Sequence, residues 1–231
     1  MTPLHERMRG RFIVFDGPDG GGKGTQIEHI ARLLAERGVP VTRAKDPGGT
    51  PVGDRIRHIL LDFDLSEMDV HCETLLFMAS RAQLMARVVR PALARGDAVL
   101  CDRFVSATCA YQGAAGYDPR RVIDLARLAI GDTWPHATIL IDVPPETGFQ
   151  RTGRSPAAVR QRADAGQRMM FADVHVDAME SRPLEFHRRV RALFGELHTY
   201  YPGPVATIDG TAAPEQVHDR VLAALEKMLS G

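Results

Sequence analysis

Cysteine is scarce in this chain: Cys72, Cys101 and Cys109 are the only three in 231 residues. So small and odd a number excludes a disulfide framework, and no CxxC or Cys/His cluster has metal-ligand spacing. Reduced thiols in a cytosolic protein, and hence a cytoplasmic location, are the expectation. Net charge is also missing, because Lys+Arg and Asp+Glu are each 29 and cancel. A dedicated nucleic-acid binder is usually basic overall, so the balance argues against nucleic acid as a partner while leaving a local basic patch open. No apolar run approaches the ~20 residues of a transmembrane helix, so no membrane partner is expected. MTPLHERMRGR at the N-terminus lacks the apolar core of a signal peptide and leads straight into a strand. Internal repeats and low-complexity tracts are absent too. What is present is a hydrophobic fraction of 44%, enough for a substantial core. The length suits one compact α/β domain, or at most two small ones, and a single domain over 1–231 is the reading adopted.

Apolar runs alternate with longer amphipathic stretches. RFIVFD (11–16), PVTRAKD (40–46), AVLCD (98–102), ATILIDV (137–143) and PVATID (204–209) read as strands. Ile27, Ile30, Leu33 and Leu34 fall at helical spacing from Lys23 to Arg37, and Gly38 ends that helix. A second helix carries Ile56, Ile59 and Leu60. One long helix is predicted from about Val70 to Arg95, and a last one from about Ala213 to Met228. Strand-helix alternation implies a five-stranded parallel sheet with helices on both faces. Ligands of such sheets sit at the carboxyl ends of the strands. Asp16, Asp102 and Asp142 end three of them. The first two are read as functional, and Asp142 is left open between function and turn formation.

GPDGGGKGTQ, Gly17 to Gln26, holds the chemistry. Gly17, four residues, Gly22 and Lys23 match GxxxxGK between a strand and a helix, the context that the phosphate-loop motif requires. Glycines turn successive N–H groups toward one anion, and the helix N-terminus adds partial positive charge. A ligand-free turn would hardly need glycines at 20, 21, 22 and 24 beside an aligned lysine. Gly17, Pro18, Asp19, Gly20, Gly21, Gly22, Lys23, Gly24 and Thr25 are therefore expected to hold the phosphates of a nucleotide, which the resemblance given below implies is ATP. Gly24 stands where a Mg²⁺-ligating hydroxyl is usual. The hydroxyl comes one place later, at Thr25, and GKGTQ resembles the loop of adenylate kinases and their relatives. Metal binding then falls to Thr25, Asp102, water and the nucleotide.

FIVFDGPDGGGKGTQ, DPGGTPVGDRIR, TLLFMASRAQ, PALARGDAVLCDRFVSATCAYQG and ILIDVPPE follow in order over essentially the whole chain. Together they resemble the thymidylate kinase family. That resemblance implies a P-loop NTPase-type fold, ATP and Mg²⁺, phosphoryl transfer to dTMP giving dTDP, and a homodimer. It assigns Lys23 to the ATP phosphates, Asp16 to the sugar 3′-hydroxyl or the metal-water network, Asp102 to Mg²⁺ and Arg103 to the acceptor phosphate. Phe77 would stack on thymine and Arg81 would donate to its O4 side; four residues apart on a helix, they share one face. Tyr111 and Gln112 would flank the deoxyribose and base, with Tyr111 leaving no room for a 2′-hydroxyl. Thr108 is either a polar neighbour of the base or structural. An apolar stripe on the 70–95 helix fits either a dimer interface or the core.

Two stretches depart from the family. KDP (45–47) stands where Arg-Glu-Pro is usual, so Lys45 or Arg57 is expected at the acceptor phosphate, with a point charge replacing a fork if Lys45 serves. Residues 151–176 read as an exposed arginine-rich lid, with Arg151, Arg154, Arg160, Arg162 and Arg168, and with Ala178 in DAME where an arginine is expected. Arg151 and Arg154 are the leading candidates to replace its charge. A solvated basic loop without catalytic part is the alternative. Acceptors other than dTMP (dUMP or a modified pyrimidine deoxynucleotide), and a regulatory relative without catalysis, are the competing readings of function.

Overall fold

The computed structural model describes residues 2–62, 67–153 and 182–230. Its strands are β1 (Phe12–Asp16), β2 (Val41–Lys45), β3 (Ala98–Asp102), β4 (Ala137–Asp142) and β5 (Val205–Asp209). They form one sheet in the order β2-β3-β1-β4-β5, and every neighbouring pair is parallel. β1 is central and buried along its whole length. A strand buried on both faces reads as an unbroken apolar run, which is why FIVF announces it. Alternate residues still face opposite ways. Phe12 and Val14 join the core under α4 (Val70–Leu84), α6 (Val105–Ala114), α7 (Pro119–Ile130) and α9 (Leu184–Glu196). Ile13 and Phe15 join the core under α2 (Lys23–Glu36) and α10 (Pro214–Met228). From β1 the chain crosses outward to β2, returns to β3, and then passes to β4 on the other side of β1. The crossovers change direction above β1, so the crevice for a ligand opens beside Asp16, Lys45 and Asp102.

The remaining helices are α1 (Leu4–Arg7), α3 (Pro51–Leu61), α5 (Arg90–Ala94) and α8 (Pro145–Arg151). Two expectations are corrected. The N-terminal segment makes one helical turn, α1, before the strand. The single helix over 70–95 is broken into α4, a π turn at Met85–Val89 and α5. Pro91 supplies the cause, since it has no N–H to return to the preceding turn and its ring presses on a carbonyl there. Met78, Leu84, Met85 and Val89 are buried, so the apolar stripe of this region faces the core. A narrower exposed line, Cys72, Leu75 and Ala79, remains on the opposite side of α4.

Candidate active site

The phosphate loop leaves β1 at Asp16 and enters α2 at Lys23. Gly22 caps α2 at φ 92°, a left-handed conformation that favours glycine. A Cβ at Gly20 would stand 2.4 Å from the carbonyl oxygen of Gly148 on α8, so loop and helix touch backbone to backbone. At Gly24, by contrast, a Cβ would meet nothing within 4 Å. The fold does not demand this glycine, and room is left for a bound group. No side chain caps the first turn of α2, so its N–H groups are left for a bound anion, as phosphate sites require. Lys23 is 8% exposed. Its Nζ donates to the Gly17 and Pro18 carbonyls at 3.0 and 2.9 Å. Burial, helped by the Arg103 charge, lowers its pKa from the ordinary 10.5 to about 8.

Beside the loop lies a cavity of about 250 Å³. Asp19 and Lys23 form its loop side, and Lys45, Asp46 and Arg57 the β2–α3 side. Phe77 and Arg81 reach it from α4, Asp102 and Arg103 from the end of β3, and Thr108, Tyr111 and Gln112 from α6. Arg81 is 1% exposed. Its Nε donates to Asp46 Oδ2 at 2.6 Å, and its Nη2 to Phe104 O at 3.1 Å and Thr108 Oγ1 at 3.0 Å. Nη1 meets the weak acceptor Met78 Sδ at 3.2 Å. Burial raises the Asp46 carboxyl and the Arg81 charge opposes the rise. Half-buried Phe77 offers its ring to the space that Arg81 borders.

Arg103 has φ 67°, the sole positive φ outside glycine among the described residues. Its N–H holds Phe15 O at 2.9 Å. Its guanidinium reaches Gly17 O at 3.3 Å, Asp19, and Tyr111 Oη at 3.3 Å. The Tyr111 hydroxyl in turn donates to Asp19 Oδ2 at 3.0 Å. A non-glycine residue in this region is costly, and such strain collects at functional sites. Next to it, Asp102 Oδ1 is buried and has no hydrogen-bond partner. An orphaned carboxylate oxygen on the crevice wall suits a Mg²⁺ ion that completes its shell with phosphates and water. Among the described residues no group of three His, Cys, Asp or Glu could hold a metal ion by itself.

Three expected residues stand elsewhere. Asp16 does not line the cavity: it is 0% exposed. It accepts from Gly17 N at 2.9 Å and Ser106 Oγ at 2.6 Å, and lies 3.5 Å from Arg103 Nη1. Burial raises its pKa, against the Arg103 charge and the Ser106 bond. Asp16 thus steadies Arg103, and Asp19 is the loop carboxylate at the cavity. Thr25 is exposed on the first turn of α2, away from the cavity wall. Arg151 donates to Gly210 O at 2.9 Å and to Gly20 O and Thr211 O at 3.4 Å. It therefore clasps the phosphate loop to the loop after β5. Arg154 lies outside the described residues, as do Arg160, Arg162, Arg168 and Ala178. Asp142, left open on sequence, forms a bidentate pair with Arg191 on α9 at 2.8 Å for both contacts. Its task is structural. Sequence reasoning missed Asp46 as the partner of Arg81, although it stands in the KDP stretch, and Glu73 as the partner of Gln112, which no motif singles out.

The thymidylate kinase family model matches residues 15–221. A thymidylate kinase of Thermomicrobium roseum is 41% identical over 219 residues, covering 94% of this chain and 95% of its own. One from Exiguobacterium sp. is 39% identical over 226 residues, covering 97% of this chain and 98% of its own. The crystal structure of thymidylate kinase from Ehrlichia chaffeensis superposes with a TM-score of 0.68 at 30% identity, covering 93% of this chain and 98% of that one.

Proposed function

This chain belongs to the thymidylate kinase family, and from that premise we propose that it transfers the γ-phosphoryl group of ATP to dTMP, giving dTDP and ADP, in dTTP synthesis. One observation carries the reading: a lysine-bearing phosphate loop and a small cavity share Lys23 and Asp19, with Arg103 between them. Donor and acceptor phosphates would meet at that junction. The acceptor base would lie on Phe77, with Arg81 donating toward its O4 edge. Tyr111 would press on the sugar and exclude a 2′-hydroxyl. Arg103, with Lys45 or Arg57, would hold the acceptor phosphate. The acceptor oxygen then attacks in line while Lys23 and the N–H groups of the loop neutralise the charge spreading onto the donor. Asp102 would hold Mg²⁺, which when bound would supply positive charge to offset that of the phosphates.

The test is a panel of acceptors with ATP and Mg²⁺: dTMP, dUMP, dCMP, dGMP and AMP. The highest kcat/KM is expected on dTMP. Faster turnover on any other acceptor sinks the assignment.

A homodimer belongs to the same reading. Leu75 on α4 is 55% exposed and Leu128 on α7 is 86% exposed, and the two helices pack side by side. With Cys72 and Ala79 they leave exposed apolar side chains on these two helices, which a second copy would cover. Light scattering is expected to give a dimer mass for the parent and a monomer mass for Leu75→Glu with Leu128→Glu. A monomeric parent at micromolar concentration would refute it.

A further inference from the structure

Beyond the base-reading pair on α4 sits a buried carboxylate that the reaction itself does not employ. Glu73 is 3% exposed. It precedes Phe77 by four residues and Arg81 by eight, so the three share a helix face. Glu73 Oε1 accepts from Gln112 Nε2 at 3.1 Å. Arg182 Nη2 donates to both Glu73 oxygens, at 3.3 and 3.2 Å. Arg182 is itself braced by the Phe186 ring, with its guanidinium carbon 4.6 Å from the ring centroid.

An ionised carboxylate only accepts hydrogen bonds. Its contact therefore decides which way round the Gln112 amide stands: nitrogen toward Glu73, carbonyl oxygen away from it. Gln112 is 0% exposed and lines the cavity, and its Oε1 is buried without a hydrogen-bond partner. A buried carbonyl left unpaired is costly, so this oxygen is poised for a donor that arrives with the ligand. Thymine and uracil carry a hydrogen on N3, whereas neutral cytosine presents a lone pair there. An amide with a fixed sense separates these bases; an amide free to flip serves either.

We infer that Glu73, braced by Arg182, is a positioning residue for base choice: it locks Gln112 with its carbonyl oxygen toward the acceptor base and so favours a pyrimidine with a hydrogen on N3. The inference rests on the acceptor reading above and adds two residues to it, neither of which touches substrate.

Three variants test it: Glu73→Gln, Arg182→Met and Gln112→Leu. In Glu73→Gln the new amide both donates and accepts, so Gln112 loses its fixed sense without a change of volume. The KM for dTMP is expected to rise about tenfold, with kcat within about threefold and the KM for ATP unmoved. The ratio of kcat/KM for dTMP over dCMP is expected to narrow about tenfold. Arg182→Met should narrow it about threefold, since Glu73 keeps Gln112 but loses its brace. The cycle with Gln112→Leu is decisive: there Glu73→Gln should cost less than about twofold, because the group through which it acts is gone. Equal costs of Glu73→Gln in both backgrounds, or an unchanged dTMP/dCMP ratio, overturn the inference and leave Glu73 as a tie between α4 and the chain before α9. Should Glu73→Gln fail to fold, the ratio in Arg182→Met decides, since Arg182 is 24% exposed and water can take its place beside Glu73. A parent protein that prefers dCMP refutes the acceptor assignment instead, and does so before any variant is made.

Discussion

Lys23→Met lowers kcat by about a thousandfold, in a protein that still folds. Lys23 is the charged group at the head of α2, and with its loop it points at the meeting place of the two phosphates. Methionine keeps the length and most of the volume but none of the charge. The ammonium donates to the Gly17 and Pro18 carbonyls, and burial has lowered its pKa to about 8. Both states of the group have consequences. The unfolded chain holds this proton to about 10.5 and the folded chain releases it near 8, so the unfolded state binds more protons between those values. The contribution of Lys23 to stability is therefore fully present above about 10.5 and is lost as pH falls through about 8. At neutral pH the protein carries a buried charge that favours unfolding, and Lys23→Met is expected to melt no lower than its parent. Phosphates reverse the preference by favouring the charged form. Above about pH 8, ATP must bring a proton with it. Its affinity is expected to be level at lower pH and to weaken about tenfold per unit above that point. Calorimetry in buffers of differing ionisation heat would read the proton uptake directly. A parent whose ATP affinity is as steep below pH 7 as above pH 8, or a Lys23→Met variant with the same profile, would refute this role.

What could be read in the sequence was what chemistry makes local. FIVFD and GPDGGGKGTQ adjoin, and a buried strand followed by a glycine loop and a lysine needs nothing distant to be understood. Phe77 and Arg81 are likewise neighbours on one turn of α4. At the site the failures are all long-range. Asp16 and Asp19 look alike in sequence, but Ser106, ninety residues away, closes over Asp16 and leaves Asp19 at the cavity. Arg151 reads as a phosphate ligand until the loop after β5 takes its donors. Glu73 reads as one more acid on an amphipathic helix, because Gln112 and Arg182, which bury and bind it, come from elsewhere in the chain. Asp142 could not be judged without Arg191. In each case residue type and position were visible, but the partner that decides between a solvated charge, a buried strut and a site was set by topology.

Arg103 joins these two kinds of information, and its removal is expected to cost nearly as much as that of Lys23. Arg103→Ala should lower kcat/KM for dTMP by about a thousandfold, and Arg103→Lys should recover little. The fork already spans Gly17 O, Asp19 and Tyr111 Oη, and its guanidinium carbon lies 5.0 Å from the centre of the Tyr111 ring. An ammonium reproduces neither the paired donors nor the stacking. The backbone shows how strongly the position is held. At φ 67° a residue with a Cβ costs roughly 1–2 kcal/mol relative to its ordinary conformation, yet the N–H bond to Phe15 O continues the β1–β3 ladder through it. That cost is separable from the charge. Arg103→Gly and Arg103→Ala both lack the guanidinium and both leave Asp16 without its counter-charge, so their difference isolates the conformation. Arg103→Gly should be the more stable by about 1 kcal/mol in chemical denaturation, with activity as low as that of Arg103→Ala. An Arg103→Lys variant that retains parental kcat/KM would show that any cation serves here. Equal stability of the Gly and Ala variants would show that the left-handed turn relaxes once the fork is gone. The geometry predicts neither, because the turn aims the fork at the junction of the two phosphate sites and Asp16, Asp19 and Tyr111 hold it there.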